Sequence, residues 1–163
     1  MKPPIPDSYW VTQGRLLAGE YPGAKLDSQA AARLGDFRDN GVTSFVDLTE
    51  EDEGLAPYEH LLVGARWLRM PIRDQDVPRV EEMRAILDRI DRELADGRVV
   101  YVHCWGGHGR TGTVVGCWLV RHGSDPAEAL TRIHELRRGV PDASWMASPE
   151  TDAQRQFVRQ WES

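Results

Sequence analysis

The chain has 163 residues, enough for one domain that buries a substantial core. At 40% hydrophobic and 28% charged residues it reads as globular, which excludes an intrinsically disordered chain. A formal net charge of −6 supplies no global positive field, so broad binding to nucleic acid or to anionic membranes is not expected, although a local basic pocket is allowed.

Residues 1–14 are rich in proline and read as an irregular N-terminal arm, without the apolar run of a secretion signal. Arg15–Glu20 reads as a first short strand, closed by the turn signal Tyr21-Pro22-Gly23. A helical stripe of Ala30, Leu34 and Phe37 follows and stops at Asn40-Gly41. Val42–Thr49 and Ala65–Ile72 are candidates for buried strands, and the acidic run Glu50–Glu53 between them reads as a solvated loop. Val80, Met83, Leu87, Ile90 and Leu94 fall three and four apart, as on one face of an amphipathic helix ending near Asp96-Gly97. Val99–Val102 is the most apolar stretch and the expected sheet centre. Beyond a glycine-rich segment, Val114, Val115, Trp118 and Leu119 repeat at helical spacing. Asp125-Pro126-Ala127-Glu128 carries the marks of a helix start, with Leu130, Ile133 and Leu136 facing inward. A last helix is expected to open at Ser148-Pro149-Glu150 and to bury Phe157, Val158 and Trp161.

Strands alternating with helices predict a three-layer α/β/α domain over residues 1–163, with a mostly parallel sheet of four to five strands flanked by helices. In such sheets ligands bind beyond the carboxyl ends of the strands. No stretch approaches the roughly eighteen apolar residues of a membrane-spanning helix. The two cysteines, Cys104 and Cys117, give neither a disulfide framework nor a CxxC metal pair. A reduced, cytoplasmic protein, monomeric and without membrane or nucleic-acid partners, is the expectation.

The chemistry concentrates in His103-Cys104-Trp105-Gly106-Gly107-His108-Gly109-Arg110-Thr111-Gly112, set between the most apolar strand and a helix. Glycines 106, 107 and 109 allow a tight bend with successive amides pointing inward, and the following helix adds its positive end. Arg110 can offer two parallel donors to two phosphate oxygens. Helix N-termini and nearby cations bring a thiol from roughly 8.5 into a range of about 3.5–7.5, which would leave Cys104 a thiolate at neutral pH. The Thr111 hydroxyl is close enough in sequence to bond that sulfur. His103 is expected behind the loop, because strand alternation turns it away from the pocket. His103, Cys104 and His108 lack a convincing fourth partner for a metal site, so neither metal nor other cofactor is expected.

HCWGGHGRTG matches the HCx5R[S/T] signature at every fixed position, and the chain resembles the cysteine-dependent protein tyrosine phosphatases, in their small dual-specificity branch. The resemblance extends through Ser8–Gly23, Phe45–Thr49 and Gln154–Trp161, so it covers nearly the whole chain. It implies a tyrosine-phosphatase-like fold and a cysteinyl-phosphate intermediate, with Cys104 as nucleophile and Arg110 and the residues 105–109 around the phosphate. It also implies a general acid about thirty residues upstream. Asp74, after Pro71-Ile72, takes that place, with Asp76 as competitor. Gln154, at i, i+3, i+7 with Phe157 and Trp161, should face inward to cap buried backbone or, alternatively, to approach the pocket.

Two residues of the loop bear on substrate. Trp105 and His108 stand where phosphoinositide phosphatases often carry lysines, which favours phosphorylated protein over an inositol lipid and leaves a nucleotide or other small phosphomonoester open. His108 is expected to shape the loop and Trp105 to pack beneath it rather than stack on a substrate ring. A phosphate-binding module without turnover and a rhodanese-like sulfurtransferase are the competing classes. Cys117, seven residues into the helix after Arg110, reads as a buried structural cysteine.

Overall fold

A computed structural model describes residues 1–163. Its elements in chain order are β1 (Ser8–Thr12), β2 (Leu16–Gly19), α1 (Asp27–Asp39), β3 (Ser44–Asp47), β4 (Arg66–Arg69), α2 (Val80–Ala95), β5 (Val100–His103), α3 (Arg110–Arg121), α4 (Pro126–Leu136) and α5 (Asp152–Arg159). Short 3₁₀ turns cover Glu51–Glu53, Glu59–Leu61 and Pro141–Ser144. The five strands lie in the order β1-β2-β5-β3-β4. β2, β5, β3 and β4 pair in parallel, and β1 adds to one edge antiparallel.

Side-chain alternation along the strands divides the core in two. Val100 and Val102 of β5, with Leu16, Ala18 and Val46, join the larger cluster under α2–α5. Tyr101, Leu17 and Phe45 turn to the other face, where α1 lays down the predicted Leu34 and Phe37. The helix ends as expected at Asn40, with Gly41 at φ 83°. The α2 stripe buries Met83, Leu87, Ile90 and Leu94, whereas Val80 at its first turn is exposed. Glu93 is buried as well: it accepts the Ser44 hydroxyl at 2.5 Å and pairs with Arg66, Arg89 and Arg98.

The structure corrects four expectations. Residues 1–14 are not an irregular arm throughout, since Ser8–Thr12 forms the edge strand β1 and the Arg15–Glu20 strand is therefore the second. β4 is not buried: as the far edge strand it leaves Arg66 and Arg69 exposed and Trp67 and Leu68 half-buried. Of the inward residues expected on α4, Ile133 is buried with Ala129, while Leu130 and Leu136 are only partly covered. The last helix starts at Asp152 rather than at Ser148, because Thr151 and Gln154 form a reciprocal capping box there.

α3 is the central helix of the larger face and touches α2, α4 and α5. Gly116 permits that approach: a Cβ there would lie 2.7 and 2.9 Å from the Val158 methyls and 3.4 Å from Ile133 Cδ1. Val158 and Ile133 are fully buried and cannot move aside. Gly116→Val is therefore expected to destabilise the protein by about 1–3 kcal/mol, checked by urea unfolding.

Candidate active site

β5 ends at His103, so Cys104 emerges at the carboxyl edge of the central strand, buried to 3% exposure. The loop then turns within five residues and enters α3 at Arg110. Gly107 makes the turn possible. Its φ is 77°, and a Cβ would lie 2.5–2.8 Å from the backbone of Gly19 and Glu20. A Cβ at Gly109 would lie 2.9 Å from the Gln154 amide group. The Trp105 carbonyl is fixed by the Tyr21 amide at 2.9 Å.

His103 does lie behind the loop, as strand alternation requires. It is fully buried and stacks on Tyr101, with ring centroids 5.7 Å apart. Its Nδ1 is 2.9 Å from the Cys104 carbonyl, which can only accept; that nitrogen carries the proton, and Nε2 accepts the Tyr58 hydroxyl at 2.6 Å. Burial holds its pKa below the ordinary histidine value. Asp47 lies 3.8 Å away. Burial pushes the Asp47 carboxyl up, but His103 and hydrogen bonds from Thr49 and Trp67 bring it below the usual range.

Arg110 is 1% exposed, and its charge is answered from two loops, those after β3 and β4. Glu53 grips the outer edge of the guanidinium, Oε2 to Nη1 at 2.7 Å and Oε1 to Nη2 at 2.8 Å. Nη1 also donates to the Ile72 carbonyl at 3.0 Å and, more weakly, to Leu48 O at 3.4 Å. The Asp74 carboxylate sits 3.3 Å from Nη2 with its side chain 53% exposed. Nε is buried without a partner, so the Nε/Nη2 edge keeps one donor to spare beside Asp74. Desolvation pulls the Arg110 pKa down, and Glu53 and Cys104 outweigh it upward.

Asp76, the competing acid, caps the Val77 amide at 2.8 Å and makes no contact with Arg110. Gln154 is fully buried and caps backbone: its Oε1 accepts the Glu150 and Thr151 amides at 3.1 Å, and its amide group lies beside Gly109. The His108 Nδ1 lies 2.7 Å from Arg137 Nη2. Cys117 is fully buried in the core, where desolvation pushes its thiol well above its ordinary value.

Three readings change. Glu50–Glu53 is not merely a solvated loop, since Glu53 is the principal counter-charge of Arg110 and its side chain is 10% exposed. Trp105 does not pack beneath the loop; it is 54% exposed. The Thr111 hydroxyl is buried without any hydrogen-bond partner, so the expected bond to the Cys104 sulfur is not formed. Tyr58 and Arg137 also escaped the sequence reading. The one available signal for Glu53 was its place just beyond the carboxyl end of a parallel strand, where loops of such a sheet meet.

The family described as "PTP-SAK: Swiss Army Knife protein, DSP-PTPase phosphatase domain" matches residues 6–159. The chain is 34% identical over 164 residues to "Putative tyrosine phosphatase 067L" of Invertebrate iridescent virus 3, which covers 94% of this chain and 64% of that protein. It is 32% identical over 149 residues to dual specificity protein phosphatase CDC14AB of Danio rerio, covering 82% of this chain and 22% of that one. Among solved structures, Tk-PTP in the active form superposes with a TM-score of 0.76 at 28% identity over 95% of each chain. The chain spans 64%, 58% and 52% of the lengths of three curated relatives, the second and third from Methanocaldococcus jannaschii.

The Glu53–Arg110 pair has a pH signature. Burial raises the Glu53 carboxyl, but hydrogen bonds from Arg110 and the Glu50 amide place it below its ordinary 4.5. Its stabilisation is thus complete above that value and fades as pH falls through the lower folded value. Glu53→Gln should be less stable than wild type by about 2 kcal/mol at neutral pH, with the gap closing in acid, as followed by urea unfolding across a pH series.

Proposed function

The chain belongs to the cysteine-dependent protein tyrosine phosphatase superfamily, in its small dual-specificity branch, and from that premise we propose that it hydrolyses phosphomonoesters through Cys104. The observation that carries this reading is the divided guanidinium of Arg110. Glu53 holds one edge, and the Nε/Nη2 edge retains a buried donor without a partner at the end of the loop. A phosphoryl group with two oxygens on that edge and others on the loop amides would satisfy it.

In the first step the Cys104 thiolate attacks phosphorus in line. The S–P bond forms, the P–O bond to the leaving group breaks, and the Asp74 carboxyl passes its proton to the departing oxygen. In the second, water attacks phosphorus, Asp74 takes a proton from it, the S–P bond breaks and inorganic phosphate leaves. The Thr111 hydroxyl, buried and unpaired, is available to hydrogen-bond the returning thiolate. Asp74 is preferred over Asp76 because it faces Arg110 while half-exposed, whereas Asp76 is spent on a turn.

The substrate class we favour is phosphorylated protein, with phosphotyrosine first and phosphoserine or phosphothreonine accepted. Trp105 supports this: an exposed indole next to Cys104 offers an aryl face to a tyrosine ring. The loop carries no lysine to meet additional phosphates. Both cysteines are free, which supports work in a reducing, cytoplasmic setting. No helix is long and apolar enough to cross a membrane.

Cys104→Ser is expected to reduce p-nitrophenyl phosphate hydrolysis to the enzyme-free rate with unchanged circular dichroism, and acid-quenched wild type should carry one phosphoryl group on Cys104 by mass spectrometry. Substantial activity in the serine variant would sink the mechanism. Asp74→Asn should lower kcat by about 10²–10⁴-fold. Asp76→Asn should barely alter it, and steady-state kinetics with phosphotyrosine, phosphothreonine, phosphoinositide and nucleotide substrates would rank the classes.

A further inference from the structure

Arg137, the residue that closes α4, is 2% exposed and forms no ion pair within 4.0 Å. A buried cation without a carboxylate costs several kcal/mol unless hydrogen bonds compensate. Its bonds run to the Met146 carbonyl at 3.1 Å and to Nδ1 of His108 at 2.7 Å. Tyr9 and Asp7, whose hydroxyl and Oδ1 are buried without partners, and Asp142 are the other titratable groups that act on it. The proposed reaction uses none of these.

The His108 contact fixes a protonation state. A guanidinium only donates, so Nδ1 accepts, and the imidazole is neutral with its proton on Nε2, 3.9 Å from Asp142 Oδ2. Burial and then the Arg137 charge hold the His108 pKa below the ordinary value. The His108 carbonyl is fixed by the Ser148 hydroxyl at 2.6 Å. Gly107 on one side is wedged against the Gly19–Glu20 backbone, and Gly109 on the other against the Gln154 amide group. The centre of the loop is thus held at three successive residues, and Arg137 supplies a charged grip on the His108 side chain.

We propose that Arg137 is a positioning residue for the phosphate loop: through neutral His108 it fixes the path of Gly107–Gly109 and so aims the loop amides at a bound phosphoryl group. It lies outside the site it serves and touches no reacting atom. The inference rests on the phosphatase reading, and its test separates the two.

The dissociation constant of inorganic phosphate, by titration calorimetry, and kcat/KM for p-nitrophenyl phosphate are compared across wild type, Arg137→Met, His108→Ala, His108→Asn and the double variant Arg137→Met/His108→Ala. Each of Arg137→Met and His108→Ala should weaken phosphate binding by about tenfold, the size of one charge-assisted hydrogen bond. The double variant should lose no more than the worse single one, because both remove the same contact. His108→Asn, whose Oδ1 can accept the same N–H, should recover about threefold or more of the His108→Ala loss, which a merely structural role would not produce. Phosphate affinity unchanged within about twofold, additive losses, or an Asn variant no better than Ala would overturn the proposal. Should Arg137→Met fail to fold, the Asn-against-Ala comparison decides alone. A wild type that binds no phosphate overturns the phosphatase reading together with this inference; a wild type that binds it beside unaffected variants overturns the inference alone.

Discussion

A guanidinium brought almost completely out of water at the start of a helix is the constraint on which the site depends. Arg110 must be compensated, yet it must also keep donors free for an incoming anion. Glu53 resolves the conflict by geometry: a bidentate carboxylate covers Nη1 and Nη2 on one edge and leaves Nε on the other. A lysine could not be divided in this way, since its ammonium has no second edge. The carbonyls of Leu48 and Ile72 add fixed dipoles without adding negative charge.

That compensation is delivered by the sheet. β3, β4 and β5 run in parallel, so their carboxyl ends emerge on one side. Leu48 and Glu53 follow β3, Ile72 and Asp74 follow β4, and Cys104 and Arg110 follow β5. Two loops therefore converge on the cation that the third carries, and the antiparallel edge strand β1 stays outside this convergence. β2 contributes differently, since its end at Gly19 is the surface against which Gly107 turns. The same topology that buries the hydrophobic core thus sets the distances among the charged groups.

The parts legible in the sequence were those determined locally. Ala30, Leu34 and Phe37 identify α1 by spacing alone, and Cys104 to Arg110 identify the loop because its glycines, its cysteine and its arginine are consecutive in the chain. What escaped was set by long-range contact. Glu53 lies 57 residues from Arg110, Tyr58 lies 45 from His103 and Arg137 lies 29 from His108. Nothing in the acidic run Glu50–Glu53 singles out the carboxylate that pairs with Arg110. The exposure of Trp105 and the missing partner of Thr111 were likewise invisible, because a non-repetitive loop has no period from which side-chain direction follows. Ser8–Thr12 was hidden by the prolines before it, and the edge position of β4 depends on strand order, which local pattern does not define.

The two histidines of the loop sharpen what it can hold. His103 donates through Nδ1 to a carbonyl and accepts a hydroxyl at Nε2, while His108 accepts a guanidinium at Nδ1. Both assignments require neutral rings, and burial leads both pKa values downward. The positive charge presented within the loop is then that of Arg110, supplemented by the α3 N-terminus. Arg137 adds a second cation, but it lies buried behind His108. One unpartnered guanidinium donor at the end of the loop suits the single phosphoryl group proposed above. The count of available charges, more than the shape of the loop, is what supports the proposed single phosphomonoester.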